Sequence, residues 1–322
     1  MRRKVSMVIP VYNESVNVGV ILQAIRCEFK NLDYHYEVIF VDDGSSDDTL
    51  DLIKEQALTY DNVFYLRLSR NYGHQNALKA GLDNAKGDCV ISMDGDMQHP
   101  PSLLPKMLAF WEQGYEVVYT RRLDTEGVGF FKKLSSKLFY KVINFISDVK
   151  MEDGVADFRL LDKKVVAKLK EFKETDLFLR GLVKWVGFNQ VAIDYKAAQR
   201  HSGKTKYSLS RMIAFAVESV TSFSVRPLIF SVYLGFILSL LTILIYIPYL
   251  ANAVMTKNHF PRWASILSLV AFFGGLNLTL IGIVGIYIGK LFMQSKARPN
   301  YIISETNKPI KEKIPAHDIV EF

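Results

Sequence analysis

Residues 4–11, 37–41 and 63–68 are short, nearly continuous apolar runs, and a fourth passes through Cys89, Val90 and Ile91. Runs of this length between turn signals read as buried strands. Between them apolar side chains recur at helical spacing. Val16, Val20, Ile21, Ala24 and Ile25 mark a helix over 15–30. Leu50, Leu52, Ile53 and Ala57 mark a second, with Asp47 or Asp48 as its cap. Further helices are predicted over 76–85, closing on Gly87, and over 103–113, with a fifth strand over 116–120. Strands alternating with helices of this length predict βαβ units and a parallel sheet.

The pattern changes in the last third of the chain. No charged residue occurs from Pro227 to Thr256 or from Trp263 to Gly289. Each run exceeds the roughly 20 residues that cross a bilayer, so two transmembrane helices are expected within 227–290. The loop between them carries only Lys257 and Arg262, whereas Lys and Arg are frequent on both outer flanks. That bias puts both flanks in the cytoplasm, as an even number of spans requires. Two amphipathic stretches, 131–148 and 207–225, set an apolar stripe beside a basic one. Next to membrane spans they are expected to lie in the lipid interface. The expected layout is a cytoplasmic domain over 1–200, a basic juxtamembrane segment over 201–226, the spans, and a cytoplasmic tail over 291–322. Multi-pass insertion in the cytoplasmic (inner) membrane follows.

Charge sharpens this picture. The 322 residues carry a net charge of +7, which suits an anionic membrane surface or phosphorylated ligands as well as nucleic acid. Only Cys27 and Cys89 are present, with no disulfide or metal spacing, in keeping with a reducing compartment. Met1-Arg2-Arg3-Lys4 begins like a signal peptide, but the apolar run that follows is too short and enters Tyr12-Asn13-Glu14.

Candidate chemistry collects where the strands end. The second strand runs into Asp42-Asp43-Gly44-Ser45-Ser46-Asp47 and the fourth into Asp94-Gly95-Asp96, before Pro100-Pro101 stops the chain. In open α/β sheets ligands sit at these carboxyl ends. Two carboxylates one glycine apart suit a hard divalent cation whose shell is completed by phosphates. Asp42 and Asp43 can accept from a ribose or a base N–H, although Asp-Gly-Ser-Ser-Asp is also ordinary turn and capping chemistry. No GxGxxG or Walker loop occurs, so phosphates are expected on a metal rather than on a helix N-terminus. His74 and His99 are the histidines nearest this edge, and neither has metal-ligand spacing.

Three segments, Val8-Ile9-Pro10-Val11-Tyr12-Asn13-Glu14, Val41 through Asp47, and Met93 through Pro101, resemble the signatures of family 2 glycosyltransferases of the GT-A fold. Ala156-Asp157-Phe158-Arg159-Leu160-Leu161, Phe178-Leu179-Arg180-Gly181 and the run from Arg200 to Ser208 are similar to the polyisoprenyl-phosphate branch. That branch includes bactoprenol glucosyltransferases and dolichol-phosphate mannose synthases, and the paired C-terminal spans resemble the former. The resemblance covers all but the tail after about residue 300. It implies an α/β, GT-A (Rossmann-like), mostly parallel sheet, followed by interfacial amphipathic helices and two transmembrane helices.

What the resemblance implies can be placed residue by residue. Pro10, Tyr12, Glu14, Asp42, Asp43, Asn71, Gly73 and Gln98 would line the nucleotide-sugar pocket. Asp94, Asp96 and Gln98 would hold Mg²⁺ or Mn²⁺, which assists departure of the nucleoside diphosphate. Asp157 would act at the catalytic site as a base, as an acceptor-orienting group or as part of the acidic metal environment. Arg121, Arg122, Arg200, Lys204 and Lys206 would meet the acceptor phosphate or the diphosphate. The expected reaction is an inverting transfer of a hexose, first guess glucose from UDP-glucose, to undecaprenyl phosphate. Expected partners are the nucleotide sugar, the polyprenyl phosphate and the bilayer, with no nucleic acid, and relatives suggest a homo-oligomer through the membrane helices. GDP-mannose or an aminosugar donor is the alternative. A processive polysaccharide synthase is disfavoured, since no QxxRW sequence occurs. A non-catalytic nucleotide-sugar scaffold is disfavoured by retention of both Asp94 and Asp96.

Overall fold

A computed structural model describes residues 2–123, 154–174, 178–196, 228–235 with a few positions up to 244, and 262–309. The chain divides into two units. One comprises residues 1–134, 152–206 and 299–322, the other 135–151 and 207–298.

In the first unit the apolar runs become strands: β1 (Lys4–Val11), β2 (His35–Asp42), β3 (Val63–Leu68) and β4 (Cys89–Ser92). They pair in parallel in the order β4-β1-β2-β3. The helices between them are α1 (Ser15–Phe29), α2 (Thr49–Thr59) and α3 (His74–Asn84). After β4 a 3₁₀ turn (Pro101–Leu103) leads into α4 (Leu104–Glu112) and β5 (Val117–Arg122). β6 (Val155–Asp162) then runs antiparallel to both β4 and β5. Two short helices, α5 (Lys163–Glu171) and α6 (Leu179–Trp185), precede β7 (Gln190–Tyr195), which lies parallel to β5.

The buried stripe of α1 is Asn17, Val18, Ile21, Leu22, Ile25 and Phe29. Val16 and Val20, expected on that stripe, are exposed. Ile21 and Ile25 are buried as expected, and the buried face is turned by about a quarter turn from the expected stripe, because Val16 and Val20 lie on a neighbouring face. Val5, Met7, Ile9, Phe40 and Ile91 form the floor on which α1 packs.

Residues 291–322, expected as a tail outside the domain, contribute a strand to it. β8 (Ile303–Thr306) runs antiparallel to β3 and ends the eight-stranded sheet. Asn307 fixes this edge, accepting from Tyr65 N at 2.8 Å and donating to Val63 O at 3.2 Å. Tyr301 donates to Asp83 at 2.9 Å. A four-residue strand flanked by polar residues carries little periodic signal, which hid it in the sequence.

In the second unit, α7 (Arg262–Ser295) is a helix of 34 residues. Its stretch Phe272–Ser295 is the one segment among the described residues long and apolar enough to cross a membrane. Leu278, Ile281, Val284, Ile286, Ile288 and Leu291 are all exposed, so apolar surface faces outward around the helix. The first expected span is described only in part, as helix over 228–235 and at scattered positions to 244. The amphipathic stretches 131–148 and 207–225 lie outside the described residues.

Candidate functional site

Strand order locates the site before any side chain does. From β1 the chain steps outward through β2 and β3, then returns to place β4 on the other side of β1. The crevice above the carboxyl ends of β1 and β4 is the topological switch point, where open α/β sheets bind ligands. Pro10, Tyr12 and Glu14 leave β1 there, and Asp94, Asp96 and Gln98 leave β4. Close approach needs Gly95, since a Cβ on it would stand 2.8 Å from Val11 Cγ1.

Three turns are locked together at this rim. Asn13, at φ 54°, accepts from Ser46 N and donates its own N–H to Ser45 Oγ. Asp47 accepts from Thr49 N at 3.1 Å, one residue ahead of the N-cap Asp48 of α2. Asp43 spends both carboxylate oxygens on the loop after β3, accepting from Tyr72 N at 2.7 Å and Gly73 N at 2.9 Å. Burial nonetheless raises its pKa, with those two hydrogen bonds opposing. Asp43 therefore positions the loop that starts α3. Asp42 is fully buried, and its Oδ1 accepts from Ser45 N at 3.1 Å. Its Oδ2 is buried without a hydrogen-bond partner. A buried acceptor left open in this way keeps its lone pairs available to a donor.

Of the other residues expected at the nucleotide, Pro10 is buried within β1 and Tyr12 is exposed. Glu14 accepts from Asn17 Nδ2 at 2.6 Å, and Asn71 is exposed on the loop held by Asp43. Gly73 adopts φ 90°, a conformation natural to glycine, where that loop turns into α3.

Asp94 sits between two histidines. His74, the first residue of α3, brings Nε2 to 3.3 Å from Asp94 Oδ1 and 3.5 Å from Asp157 Oδ2. Burial would lower its pKa, but the hydrogen bond to Asp157 and the charges of Asp94 and Asp157 push it up to about 9. His99 is buried and stacked on Phe158, and its Nδ1 accepts from Asp94 N at 3.1 Å. Burial pulls its pKa down despite Asp94, Asp96 and Asp157 nearby. The two imidazoles are thus shifted in opposite directions, His74 up and His99 down. Asp96 accepts from Gln98 N at 3.1 Å, and Arg122 Nη1 donates to Gln98 Oε1 at 3.3 Å. Arg121 points elsewhere, forming a two-pronged pair with Asp194 at 2.7 and 3.0 Å.

Asp157 lies beneath the site, 2% exposed, on β6 beside β4, where Ser92 Oγ donates to its carbonyl at 2.6 Å. Arg159 Nη2 donates to Oδ1 at 3.0 Å. Arg180, the second residue of α6, donates from Nε to Oδ1 at 3.0 Å and from Nη2 to Oδ2 at 2.7 Å. Burial works against its charge, yet Arg180, His74 and Arg159 hold the carboxyl well below its usual range. Sequence reasoning left His74, His99, Arg159 and Arg180 without roles. The signal available for Arg180 was its place in Phe178-Leu179-Arg180-Gly181, a segment that resembled the family but had no obvious chemistry. Arg200, Lys204 and Lys206 lie outside the described residues.

Among the described residues no group of three His, Cys, Asp or Glu side chains is arranged to hold a metal ion. Asp94 and Asp96 therefore offer at most two carboxylates. That fits Mg²⁺ or Mn²⁺, which bind through one or two carboxylates and keep positions for water and substrate phosphates.

The switch-point crevice and its acidic rim define the class, a GT-A-type α/β enzyme. The profile of Glycosyl transferase family 2 matches residues 6–170. CsbB of Bacillus subtilis (strain 168), which carries a provisional glycosyltransferase name, is 39% identical over 96% of this chain and 93% of its own. The prophage bactoprenol glucosyl transferase homolog of Escherichia coli (strain K12) is 35% identical over 95% and 100%. The bactoprenol glucosyl transferase of Shigella phage SfV is 36% identical over 93% and 98%. Mannosyl-3-phosphoglycerate synthase from Rubrobacter xylanophilus superposes with a TM-score of 0.49 at 20% identity, over 68% of this chain and 73% of that one. The chain belongs to glycosyl transferase family 2.

Proposed function

We propose that this chain is a membrane-anchored inverting glycosyltransferase that moves glucose from UDP-glucose to undecaprenyl phosphate. The observation that carries it is the acidic rim at the switch point, in a chain matching bactoprenol glucosyl transferases over nearly its full length. The buried open oxygen of Asp42 accepts a base or ribose donor, and Glu14 lines the same rim. Asp94, Asp96 and the Gln98 amide oxygen would hold Mg²⁺ or Mn²⁺. Such an ion, when bound, neutralises charge on the departing diphosphate.

The acceptor's phosphate oxygen carries most of its charge at neutral pH, its second pKa being near 6, so it attacks without a strong base. The bond from this oxygen to the anomeric carbon forms as the bond to the diphosphate oxygen breaks, which inverts that carbon. Asp157 does not serve as a proton acceptor, because two guanidinium groups keep it ionised. Arg122 stands at the rim beside Gln98, and Arg200, Lys204 and Lys206 complete the proposed acceptor side.

The sheet supports an even number of membrane crossings. β7 and β8 belong to the same sheet, so Tyr195 and Ile303 lie in one folded unit. The chain between them must leave and return on the same side. The helix Phe272–Ser295 therefore needs a partner, and the charge-free run 227–256 supplies it. A homo-oligomer through these helices belongs to the same proposal, and cross-linking in membranes checks it.

The functional test is to incubate membranes bearing the protein with undecaprenyl phosphate and a panel of labelled nucleotide sugars. Label is expected in the lipid from UDP-glucose. Label from GDP-mannose or an aminosugar donor alone would overturn the donor assignment, and no lipid label would overturn the activity.

A further inference from the structure

Tyr195 is the last residue of β7, and the strand directions bring it to the ligand edge of the sheet. β6 runs antiparallel to both β4 and β5, so β4 and β5 point the same way. β7 is parallel to β5. Tyr195 therefore stands at the same edge as Asp94 and Asp96, which follow the end of β4.

Its neighbours there belong to the acidic rim. Arg122, its register partner on β5, donates from Nη1 to Gln98 Oε1 at 3.3 Å. His99 meets the phenol ring edge to face, with centroids 6.2 Å apart and planes at 73°. The same imidazole accepts from Asp94 N. Leu123 N donates to the Tyr195 carbonyl at 2.9 Å, and the residue as a whole is 6% exposed. The position of the ring is thus set by both strand and site.

A buried tyrosine ordinarily gives its hydroxyl a partner, since a phenol taken from water without a hydrogen bond is costly. Tyr195 Oη makes no hydrogen bond to a described residue. Nor is it among the side-chain atoms sealed away without a partner, so solvent still reaches it. Burial pushes the phenol pKa up to about 12, with Asp94 and Asp96 adding to the rise and Arg122 and Arg180 opposing it. The hydroxyl is therefore protonated at neutral pH. It offers a hydrogen beside two carboxylates that offer only lone pairs.

We propose that Tyr195 binds the donor substrate, its hydroxyl donating a hydrogen bond to an oxygen of the hexosyl diphosphate. This rests on the functional reading above, which puts that group at Asp94, Asp96 and Gln98. The oxygen belongs either to the diphosphate or to a hydroxyl of the sugar, and the two sources are separable.

The test is Tyr195→Phe in the full-length protein, which removes the hydroxyl and keeps the ring that His99 meets. Affinities for UDP and for UDP-glucose are measured by calorimetry in nanodiscs with Mn²⁺ and no acceptor lipid. If the oxygen is on the diphosphate, both affinities are expected to fall about tenfold, as loss of a hydrogen bond to a charged group does. If it is on the sugar, UDP-glucose alone is expected to weaken, about three- to tenfold.

Both affinities within about twofold of wild type would overturn the proposal. A raised KM for undecaprenyl phosphate would not rescue it, because the hydroxyl would then serve the acceptor. Tyr195→Phe is expected to melt within a few degrees of wild type. If it does not fold, the hydroxyl is a structural group and the proposal falls. A wild type that binds neither UDP nor UDP-glucose overturns the functional reading as well. Wild-type binding with an unchanged Tyr195→Phe overturns this proposal alone.

Discussion

Lys308 Nζ lies 2.9 Å from Glu37 Oε2, with both side chains 3% exposed, so the segment that follows β8 is tied to β2 through a buried ion pair. Lys4 Nζ donates to the same carboxylate at 2.7 Å and Ser6 Oγ at 2.6 Å. Burial opposes the charge on Glu37, but Lys4, Ser6 and Lys308 outweigh it and bring its pKa from 4.5 to about 2. The folded pKa lies below the unfolded one. Its stabilisation is therefore complete above pH 4.5 and is lost as pH falls toward 2. Urea midpoints of the solubilised protein should drop through that window. Glu37→Gln should flatten the drop and cost about 1–3 kcal/mol at pH 7. An unchanged acid slope in Glu37→Gln would remove this pair from the account.

Two glycines at the nucleotide rim make a graded prediction. Gly44 has φ 72°, and a Cβ there would lie 2.7 Å from the backbone carbon of Arg70 and 2.9 Å from Asn71 N. Gly73 has φ 90° but nothing within 4 Å of its Cβ position. Gly73→Ala should therefore cost only backbone strain, about 1–2 kcal/mol, since φ 90° with ψ 154° is a conformation almost confined to glycine. Gly44→Ala should cost about 2–3 kcal/mol and also weaken UDP binding, because the loop that Asp43 grips has to move. Thermal melts and calorimetry on both variants check the order.

Asp94→Ala and Asp96→Ala should each lower metal-dependent sugar transfer at least about a hundredfold while leaving the fold intact. The melting temperature is expected within a few degrees of wild type, since neither side chain is buried. Metal-stimulated transfer that survives either substitution would show the ion assignment to be wrong.

The parallel core was legible because its strands are buried on both faces and so read as unbroken apolar runs. The range 4–11 predicted for β1 and the range 63–68 predicted for β3 agree with the observed strands to the residue. Periodicity misled on α1, where Val16 and Val20 are apolar yet exposed. β8 was invisible for a different reason: its place depends on backbone pairing with β3, and Ile303-Ser304-Glu305-Thr306 has no apolar face. At the candidate site, the positions of Asp42, Asp94 and Asp96 were legible because they stand at or just beyond strand ends. Arg180 could not, since its meaning arises only when β6 brings Asp157 under α6. Asp43 shows the converse, an acidic residue in a binding-type motif whose oxygens are both taken by backbone N–H groups.

Topology can be read with the protein's own cysteines. Cys27 is exposed on α1 and Cys89 is buried in β4, so a bulky maleimide should reach Cys27 alone in the folded chain. If the catalytic unit faces the cytoplasm, a membrane-impermeant maleimide should label Cys27 in inside-out vesicles and not in intact right-side-out cells. The pairing of β8 with β3 makes a second demand. Ser304 is exposed on β8, and in a Cys27→Ser background Ser304→Cys should show the same sidedness. Opposite sidedness at the two positions would require an odd number of crossings between Tyr195 and Ile303. The sheet could not then close as described, and the pairing of Phe272–Ser295 with a second span would fall with it.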